Sequence, residues 1–269
     1  MKIILTSDLH FAHTAGYTKK IIKLFVDNLK ECDALVIAGD MISHCQSEWI
    51  GILKILRDRY PTTPIITVLG NHDYWDVVKK KIDENRIRSI YESSVGMRYR
   101  YEPTKKSYEH IANYHKKIFD RFNITHLQGN CIDIHGTKFW GLDDWYSKIP
   151  MSNDGCNISF TDQYSDGFGS RGLHNHMHKI AIDQLNNILD NVDENDKNIL
   201  VTHFNPIGQY RDTSMQMEGN LMLPDLVEGK FDAVLFGHTH RSFDSIIKGV
   251  HYYNCGSEYD DPKMMIIEE

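Results

Sequence analysis

The 269-residue sequence predicts an α/β fold in which two mixed β-sheets pack against each other. Two observations lead to this prediction. Short runs rich in Val, Ile and Leu alternate with helical patterns, as in parallel β-α-β units whose strands are buried on both faces. Later in the chain, pairs of runs around Gly-containing turns indicate antiparallel hairpins. Hairpins added to parallel units predict a second, mixed sheet packed on the first.

The spacing of apolar residues predicts the individual elements. Buried strands are predicted at residues 3–5, 34–38, 65–69, 198–201 and 233–236. Apolar side chains at helical spacing predict helices at residues 17–32, 47–60 and 176–189. Hairpins are predicted from residues 131–135 with 137–142 and from residues 242–247 with 250–254, and a last strand at residues 263–267. We expect all of these elements to belong to one domain, residues 1–269.

Two stretches of this domain fit neither pattern. Residues 76–125 are predicted to be helical and basic, with 12 Lys and Arg against 7 Asp and Glu, and with interleaved tyrosines. Such a segment could stack bases and contact phosphates, but amphipathic helices with buried tyrosines are the favoured interpretation. Residues 143–178 are rich in Gly, Ser, Asn and Asp and predict a long loop insert. Loops of this length are usually functional.

Composition and charge exclude several classes of protein. The net charge of −7 argues against a purely electrostatic binder of nucleic acid or membranes. No apolar stretch of the sequence approaches the length of roughly 20 residues that is needed to cross a bilayer. The apolar stretch at the N-terminus is followed too early by polar residues to be a signal peptide. Five cysteines without C-x-x-C spacing indicate reduced thiols. We therefore expect a cytoplasmic protein with no membrane partner.

Each of the five predicted buried strands is followed by a side chain that can bind a metal ion. The carboxyl ends of parallel strands form the binding crevice of an open sheet, so these side chains are expected to converge. Residues i and i+2 of an extended segment point the same way. Asp8 with His10, and His238 with His240, have this spacing, so each pair can direct both of its side chains to one place. The candidate ligands are Asp8, His10, Asp40, Asn71, His203, His238 and His240.

Seven candidate ligands predict two metal ions, because one tetrahedral site takes only four. Two ions that share a bridging carboxylate use all of them. Imidazole, carboxylate and one amide suit Mn, Fe, Zn, Co or Ni better than the all-oxygen cages of Ca or Mg. We therefore expect two divalent metal ions as cofactors, with Mn²⁺ favoured. Gly39, Gly70 and Gly237 precede candidate ligands and let the backbone turn sharply or approach closely.

Taken in chain order, the motifs are Asp-x-His, Gly-Asp, Gly-Asn-His-Asp, a lone His after a strand, and Gly-His-Thr-His. This series resembles that of the calcineurin-like metallophosphoesterases. The resemblance implies two packed mixed sheets with helices outside, and Asp40 as the bridge between two ions. It implies that His72 faces the leaving group without binding metal. It also assigns the other ligands, with Asp8, His10 and His240 on one ion and Asn71, His203 and His238 on the other.

The resemblance implies a hydrolase in which a hydroxide bridging the metal ions attacks a phosphate ester. His72, with an ordinary pKa of about 6.5, can donate a proton to the departing alkoxide. Ser/Thr protein phosphatases of this family carry Asp-Arg-Gly soon after Gly-Asp, whereas Asp40 here is followed by Met41 and Ile42. A phosphodiesterase acting on a small or nucleotide-type diester is therefore the first choice. A phosphomonoesterase is second and a nuclease is third.

Two hypotheses from other classes compete with a phosphoesterase. A non-catalytic, metal-binding scaffold protein would be favoured by missing ligands or a replaced His72, but all of these residues are present. Amidohydrolase-type enzymes tend to open with His-x-His on the first strand, whereas this chain opens with Asp8-x-His10. The expected partner is thus a small phosphoester substrate. Nucleic acid is not favoured, and the sequence leaves the oligomeric state open.

Overall fold

Two β-sheets form the centre of the protein, as the sequence predicts. The computed structural model describes residues 1–11, 15–27, 31–42, 49–74, 105–143, 171–207, 223–259 and 261–268. Each sheet contains both parallel and antiparallel strand pairs. Both sheets are therefore mixed, and the predicted fold class is confirmed.

The first sheet comes mainly from the N-terminal part of the chain. Its spatial order is β11-β1-β2-β3-β4, with β1 to β4 parallel and β11 antiparallel to β1. The register places Ile3 opposite Ala34, and Leu35 opposite Ile65. The strands are β1 (Lys2–Thr6), β2 (Ala34–Ala38), β3 (Ile65–Val68), β4 (Thr125–His126) and β11 (Met265–Glu268).

The second sheet comes from the later chain and carries both predicted hairpins. Its order is β5-β6-β7-β8-β10-β9. The outer pairs β5–β6 and β10–β9 are antiparallel, while the inner pairs β6–β7, β7–β8 and β8–β10 are parallel. The strands are β5 (Cys131–Ile134), β6 (Thr137–Leu142), β7 (Lys197–Thr202), β8 (Ala233–Leu235), β9 (Ser242–Ile247) and β10 (Val250–Cys255).

Three of the described helices confirm positions that the apolar spacing predicts, a fourth lies in the basic segment 76–125 that the sequence predicts to be helical, and a short fifth helix is not predicted. A short 3₁₀ turn also forms at His72–Tyr74. Apolar side chains of α1 and α2, such as Phe25 and Trp49, are fully buried, so their amphipathic spacing is used for packing. The helices are α1 (Ala15–Asp27), α2 (Trp49–Arg59), α3 (Lys105–Arg121), α4 (Arg171–Asn191) and α5 (Leu223–Val227).

The two unusual stretches of sequence are only partly covered by the structure. The predicted loop 143–178 is too long, because α4 begins at Arg171 and residues 171–178 are helical. In the basic segment 76–125, α3 is helical as expected and packs Phe119 edge-on against Trp49, with ring centroids 5.1 Å apart. Residues 75–104 and 144–170 lie outside the described part of the chain.

The core has two layers, which explains why the strand sequences do not alternate between apolar and polar residues. Side chains such as Ile3 and Val36 pack with Phe139 and Ile199 in a cluster between the sheets. The opposite faces pack with α1, α2 and α4 in a second cluster. Burying each such side chain is worth about 1.5–3 kcal/mol. Over the described ranges, no helix combines the length and apolar character needed to span a bilayer.

Candidate metal centre

The candidate ligands follow strands of both sheets and meet where those strands end. Asp8 and His10 follow β1, Asp40 follows β2 and Asn71 follows β3, all in the first sheet. The remaining candidates follow β7 and β8 of the second sheet. The crevice is thus shared by two packed sheets, and is not the edge of one open parallel sheet. The second-sheet candidates are His203, His238 and His240.

One half of the centre is formed by Asp8, His10, His240 and Asp40. The Nε2 atoms of His10 and His240 are 3.5 Å apart, and His240 Nε2 is 3.8 Å from Asp8 Oδ1. His10 Nε2 is 3.9 Å from Asp40 Oδ2. A tetrahedral ion with bonds of about 2.0–2.1 Å holds its ligand atoms about 3.3–3.4 Å apart. These four donors are therefore spaced close to the ligands of a single ion.

The other half is formed by Asn71, His203 and His238, again with Asp40. His203 Nε2 lies 3.5 Å from Asp40 Oδ2 and 3.3 Å from Asn71 Oδ1. His203 Nδ1 donates to the carbonyl oxygen of Ala38 at 2.8 Å, which orients the ring so that Nε2 faces Asp40 and is the nitrogen that can bind a metal ion. The rings of His203 and His238 are 5.1 Å apart. The structure thus brings all the predicted ligands together.

Asp40 lies at the centre of the cluster. It is almost completely buried, and its Oδ2 is within 4.0 Å of the Nε2 atoms of His10, His72 and His203. Burial alone would raise the pKa of Asp40, but the surrounding histidines, His203 foremost, hold it well below its ordinary value. Asp40 is therefore an anion in contact with both halves of the centre, as a bridging carboxylate would be.

One unpartnered nitrogen atom and the charge states of two histidines suit the cluster to metal ions. His238 Nε2 is buried and has no hydrogen-bond partner, as expected of an atom that binds a metal ion. Burial and a neighbouring histidine lower the pKa of both His10 and His238 well below the usual value, so both imidazoles are neutral. Neutral imidazoles and carboxylates are the donor set that binds transition-metal ions. The residues present therefore fit a divalent metal centre.

His72, the predicted proton donor, lies beside this cluster. Its Nε2 is 4.0 Å from Asp40 Oδ2, and its ring centroid is 4.4 Å from that of His10. Its backbone N–H donates to Asp40 Oδ1 at 2.9 Å, which places the residue relative to the central carboxylate. His72 is thus adjacent to both halves of the centre while remaining slightly exposed, at 7%. A group in this position can exchange a proton with a bound ester.

Several candidate ligands have an unusual backbone conformation. Positive φ angles, between 40° and 66°, occur at five of the seven positions. Gly39 also has a positive φ of 80°. At Gly70 a Cβ atom would lie 2.2 Å from Asp40 Oδ1, so only glycine lets the backbone pass this close to the carboxylate. The five positions with positive φ are Asp8, His10, Asp40, His238 and His240.

Two further aspartates support the loop that carries Asn71 and His72. Asp73 accepts hydrogen bonds from the backbone N–H groups of Met41, Ile42 and Gly70 at 2.9–3.1 Å. It therefore ties the Asn71 loop to the Asp40 loop. Burial and the Asp40 charge raise the pKa of Asp73 to about 8.

Asp143 supports the same loop from the second sheet, and sequence reasoning missed this role. Its Oδ1 accepts from the Leu69 N–H at 2.7 Å, and its carboxylate also contacts His126 Nε2 and Gln128 Nε2. Asp143 directly follows β6, just as the candidate ligands follow their strands. Its place directly after a strand could have identified Asp143 as a residue near the site.

Metal binding is expected to release about one proton, from His203. Burial opposes the charged form, but the Asp40 carboxylate raises the pKa of His203 to about 9 in the metal-free protein. At pH 7 the imidazole is therefore protonated and must lose its proton to become a ligand. Apparent metal affinity should rise about tenfold per pH unit up to pH 9. Calorimetry in buffers of different ionisation enthalpy measures the released proton. A buffer-independent heat, or equal release from His203→Gln, would contradict this assignment.

Comparisons with known proteins agree with this geometry. The family model for calcineurin-like phosphoesterases matches residues 1–242, which include every candidate ligand. A search of curated protein sequences finds no match. Among solved structures, phosphopantetheinyl hydrolase (PptH) from Mycobacterium tuberculosis superposes with a TM-score of 0.67 at 16% identity, covering 98% of this chain and 95% of that chain.

Two more solved structures have the same fold at lower similarity. A protein from Thermus thermophilus gives a TM-score of 0.53 at 12% identity, over 95% of this chain and 89% of that chain. A putative 5′-nucleotidase from Staphylococcus aureus gives 0.50 at 10% identity, over 98% of this chain but 52% of that one. The TM-scores show a shared fold, and the family model covers most of the sequence. The chain belongs to the calcineurin-like phosphoesterase family.

Proposed function

We propose that the protein is a metal-dependent phosphodiesterase that hydrolyses a small or nucleotide-type diester. The observation that carries this proposal is the cluster of imidazoles and carboxylates around Asp40, with His72 beside it. We assign Asp8, His10 and His240 to one ion and Asn71, His203 and His238 to the other. Asp40 would bridge them, and Mn²⁺ is the favoured metal, ahead of Fe, Zn, Co and Ni.

Each part of the site has a separate task in this proposal. When bound, the two ions would stabilise negative charge on the phosphoryl oxygens and lower the pKa of a water molecule. His203, held by the Ala38 carbonyl, keeps a fixed ring orientation. His72 is placed by its backbone hydrogen bond to Asp40 and donates a proton to the leaving oxygen.

The sequence around Asp40 favours a diester. Ser/Thr protein phosphatases of this family carry Asp-Arg-Gly soon after Gly-Asp, whereas Met41 and Ile42 follow Asp40 here. This difference argues against a protein phosphatase and leaves a phosphodiesterase as the first choice. A phosphomonoesterase and a nuclease are the alternatives, followed by a non-catalytic scaffold.

The same proposal places the enzyme in the cytoplasm. Cys32, Cys131 and Cys255, which the structure describes, all carry free thiols. Burial raises the pKa of the Cys255 thiol, which makes it less reactive. Reduced, unreactive thiols are typical of proteins in reducing compartments.

A panel of phosphoesters tests the proposed activity. The purified protein is stripped with a chelator, reloaded with Mn²⁺ and assayed on bis-p-nitrophenyl phosphate, p-nitrophenyl phosphate, a cyclic nucleotide, a phosphopantetheinyl ester and a single-stranded oligonucleotide. We expect the diesters to give the highest kcat/KM, and the chelated protein to be inactive. A preference for the monoester or the oligonucleotide would select one of the alternatives. Stoichiometric metal without hydrolysis of any compound would select the scaffold.

A further inference from the structure

Tyr259 lies across two of the candidate ligands on the solvent side of the centre. Its ring centroid is 4.5 Å from that of His10 and 4.8 Å from that of His240, at interplanar angles of 19° and 21°. The two imidazoles are nearly parallel, at 3°, so one phenol ring covers both. Tyr259 is 44% exposed, whereas His10 is fully buried. The tyrosine therefore presents an aromatic surface to solvent directly beside the proposed metal ions.

Hydrogen bonds hold the backbone of Glu258 and Asp261, the described residues that flank Tyr259. The buried Tyr17 hydroxyl donates to the carbonyl oxygen of Glu258 at 2.9 Å and lies 3.4 Å from that of Asp8. Glu258 and Asp261 exchange backbone hydrogen bonds of 3.1 and 3.0 Å around the turn. The same Tyr17 side chain thus holds the Tyr259 loop and the Asp8 loop together. A surface held in this way binds with little loss of conformational entropy.

Tyr259 also lies outside the part of the sequence that the family model matches, which ends at residue 242. The metal ligands, which perform chemistry common to the family, lie inside it. Residues on loops around a common centre usually determine which substrate is accepted. A fixed and exposed aromatic ring beside the metal ions is suited to this task.

We propose that Tyr259 is a positioning residue whose exposed ring stacks on a planar aromatic group, such as a nucleobase, of the bound phosphoester. This inference rests on the proposed function and narrows its substrate class to esters that carry a planar group next to the phosphate. Aromatic side chains stack on any base, because every base has a π-face, and losing one such ring typically weakens binding by about tenfold to hundredfold. The phosphate itself is bound by the metal centre and needs no stacking.

Equilibrium binding tests this inference without turnover. Calorimetry would compare adenosine 5′-monophosphate with inorganic phosphate on Mn²⁺-loaded wild type, Tyr259→Ala, Tyr259→Leu and Tyr259→Phe, with metal content measured for each. We expect wild type and Tyr259→Phe to prefer the nucleotide, and the Ala and Leu variants to lose about tenfold to hundredfold of that preference. Ile246→Ala, which trims a 65% exposed side chain on β9, is the matched control and should behave as wild type.

The possible outcomes separate this inference from the proposed function. No preference for the nucleotide in wild type, or an unchanged preference in Ala and Leu variants, overturns the stacking role. If the variants lose metal and bind the nucleotide and inorganic phosphate equally more weakly, Tyr259 only covers the metal site, and the stacking role is again overturned. A Tyr259-dependent preference in a protein that hydrolyses none of the phosphoesters overturns only the proposed hydrolase. Hydrolysis with an unchanged preference overturns only the inference.

Discussion

Replacing Asp40 with Asn is expected to deplete both metal ions and to lower the proposed phosphodiesterase activity by at least about 10³-fold. Each lost ion would remove stabilisation of the negative charge that develops on the phosphoryl oxygens, and one such interaction is typically worth about 10²–10³-fold. The reason is the central position of Asp40, whose Oδ2 lies within 4.0 Å of nitrogen atoms from both halves of the cluster. An amide keeps the shape of the side chain but removes the negative charge shared by two cations. His10→Ala, in contrast, should first weaken only one ion.

Metal content and kcat/KM of the three proteins, after chelation and reloading, measure this difference. Asp183→Asn is a matched control, because Asp183 is 60% exposed and pairs with Lys179 on the surface of α4. An exposed pair of this kind contributes little to stability, about 0–1 kcal/mol. A reloaded Asp40→Asn protein with two ions and wild-type activity would show that Asp40 is not the bridge.

Replacing His72 with Ala is expected to leave both metal ions in place and to slow hydrolysis of poor leaving groups by about 10²–10⁴-fold, the usual contribution of a general acid. His72 lies next to Asp40 without being required by either proposed ligand set. An alkoxide leaving group needs a proton as its bond to phosphorus breaks. p-Nitrophenolate needs much less help, so its release should slow less.

Paired substrates make this prediction specific to proton donation. Metal content and kcat would be measured for wild type and His72→Ala on an alkyl ester and on a p-nitrophenyl ester. A variant that retains its metal and loses the same factor on both esters would rule out the general acid role. A variant that has lost metal would instead place His72 among the ligands.

The ligands of the candidate centre were predictable because each follows a buried strand. A run such as 34–38 can be recognised by its unbroken apolar sequence, and the chain leaves the sheet immediately after it, at Gly39 and Asp40. The same signal located the ends of β1, β3, β7 and β8. The sequence predicts two sheets but does not reveal that the five ligand-bearing strands are divided between them. Sheet membership depends on pairings such as β8 with β10, which apolar runs do not encode.

Elements without a periodic pattern were missed or wrongly bounded. Strand β4 has only two residues, which is too short for a periodic pattern, and it is defined by the pairing of Thr125 with Ile66. Helix α4 begins in a polar stretch with Gly172 near its start. Glycine has low helix propensity, so the sequence predicts a loop there. The role of Asp143 depends on the Leu69 N–H, 74 residues away in the chain, and Tyr259 acts through contacts with loops at the opposite end of the sequence.

The left-handed backbone at five candidate ligands ties metal supply to the survival of the folded chain. Each such position opposes folding by roughly 1–2 kcal/mol in ordinary residues, although Asp and His tolerate it better than most. Metal ions that bind only the folded form offset this cost by mass action. Without its metal ions, a larger fraction of the protein would therefore be unfolded and open to proteases. The amount of the protein in a cell would then depend on the supply of metal.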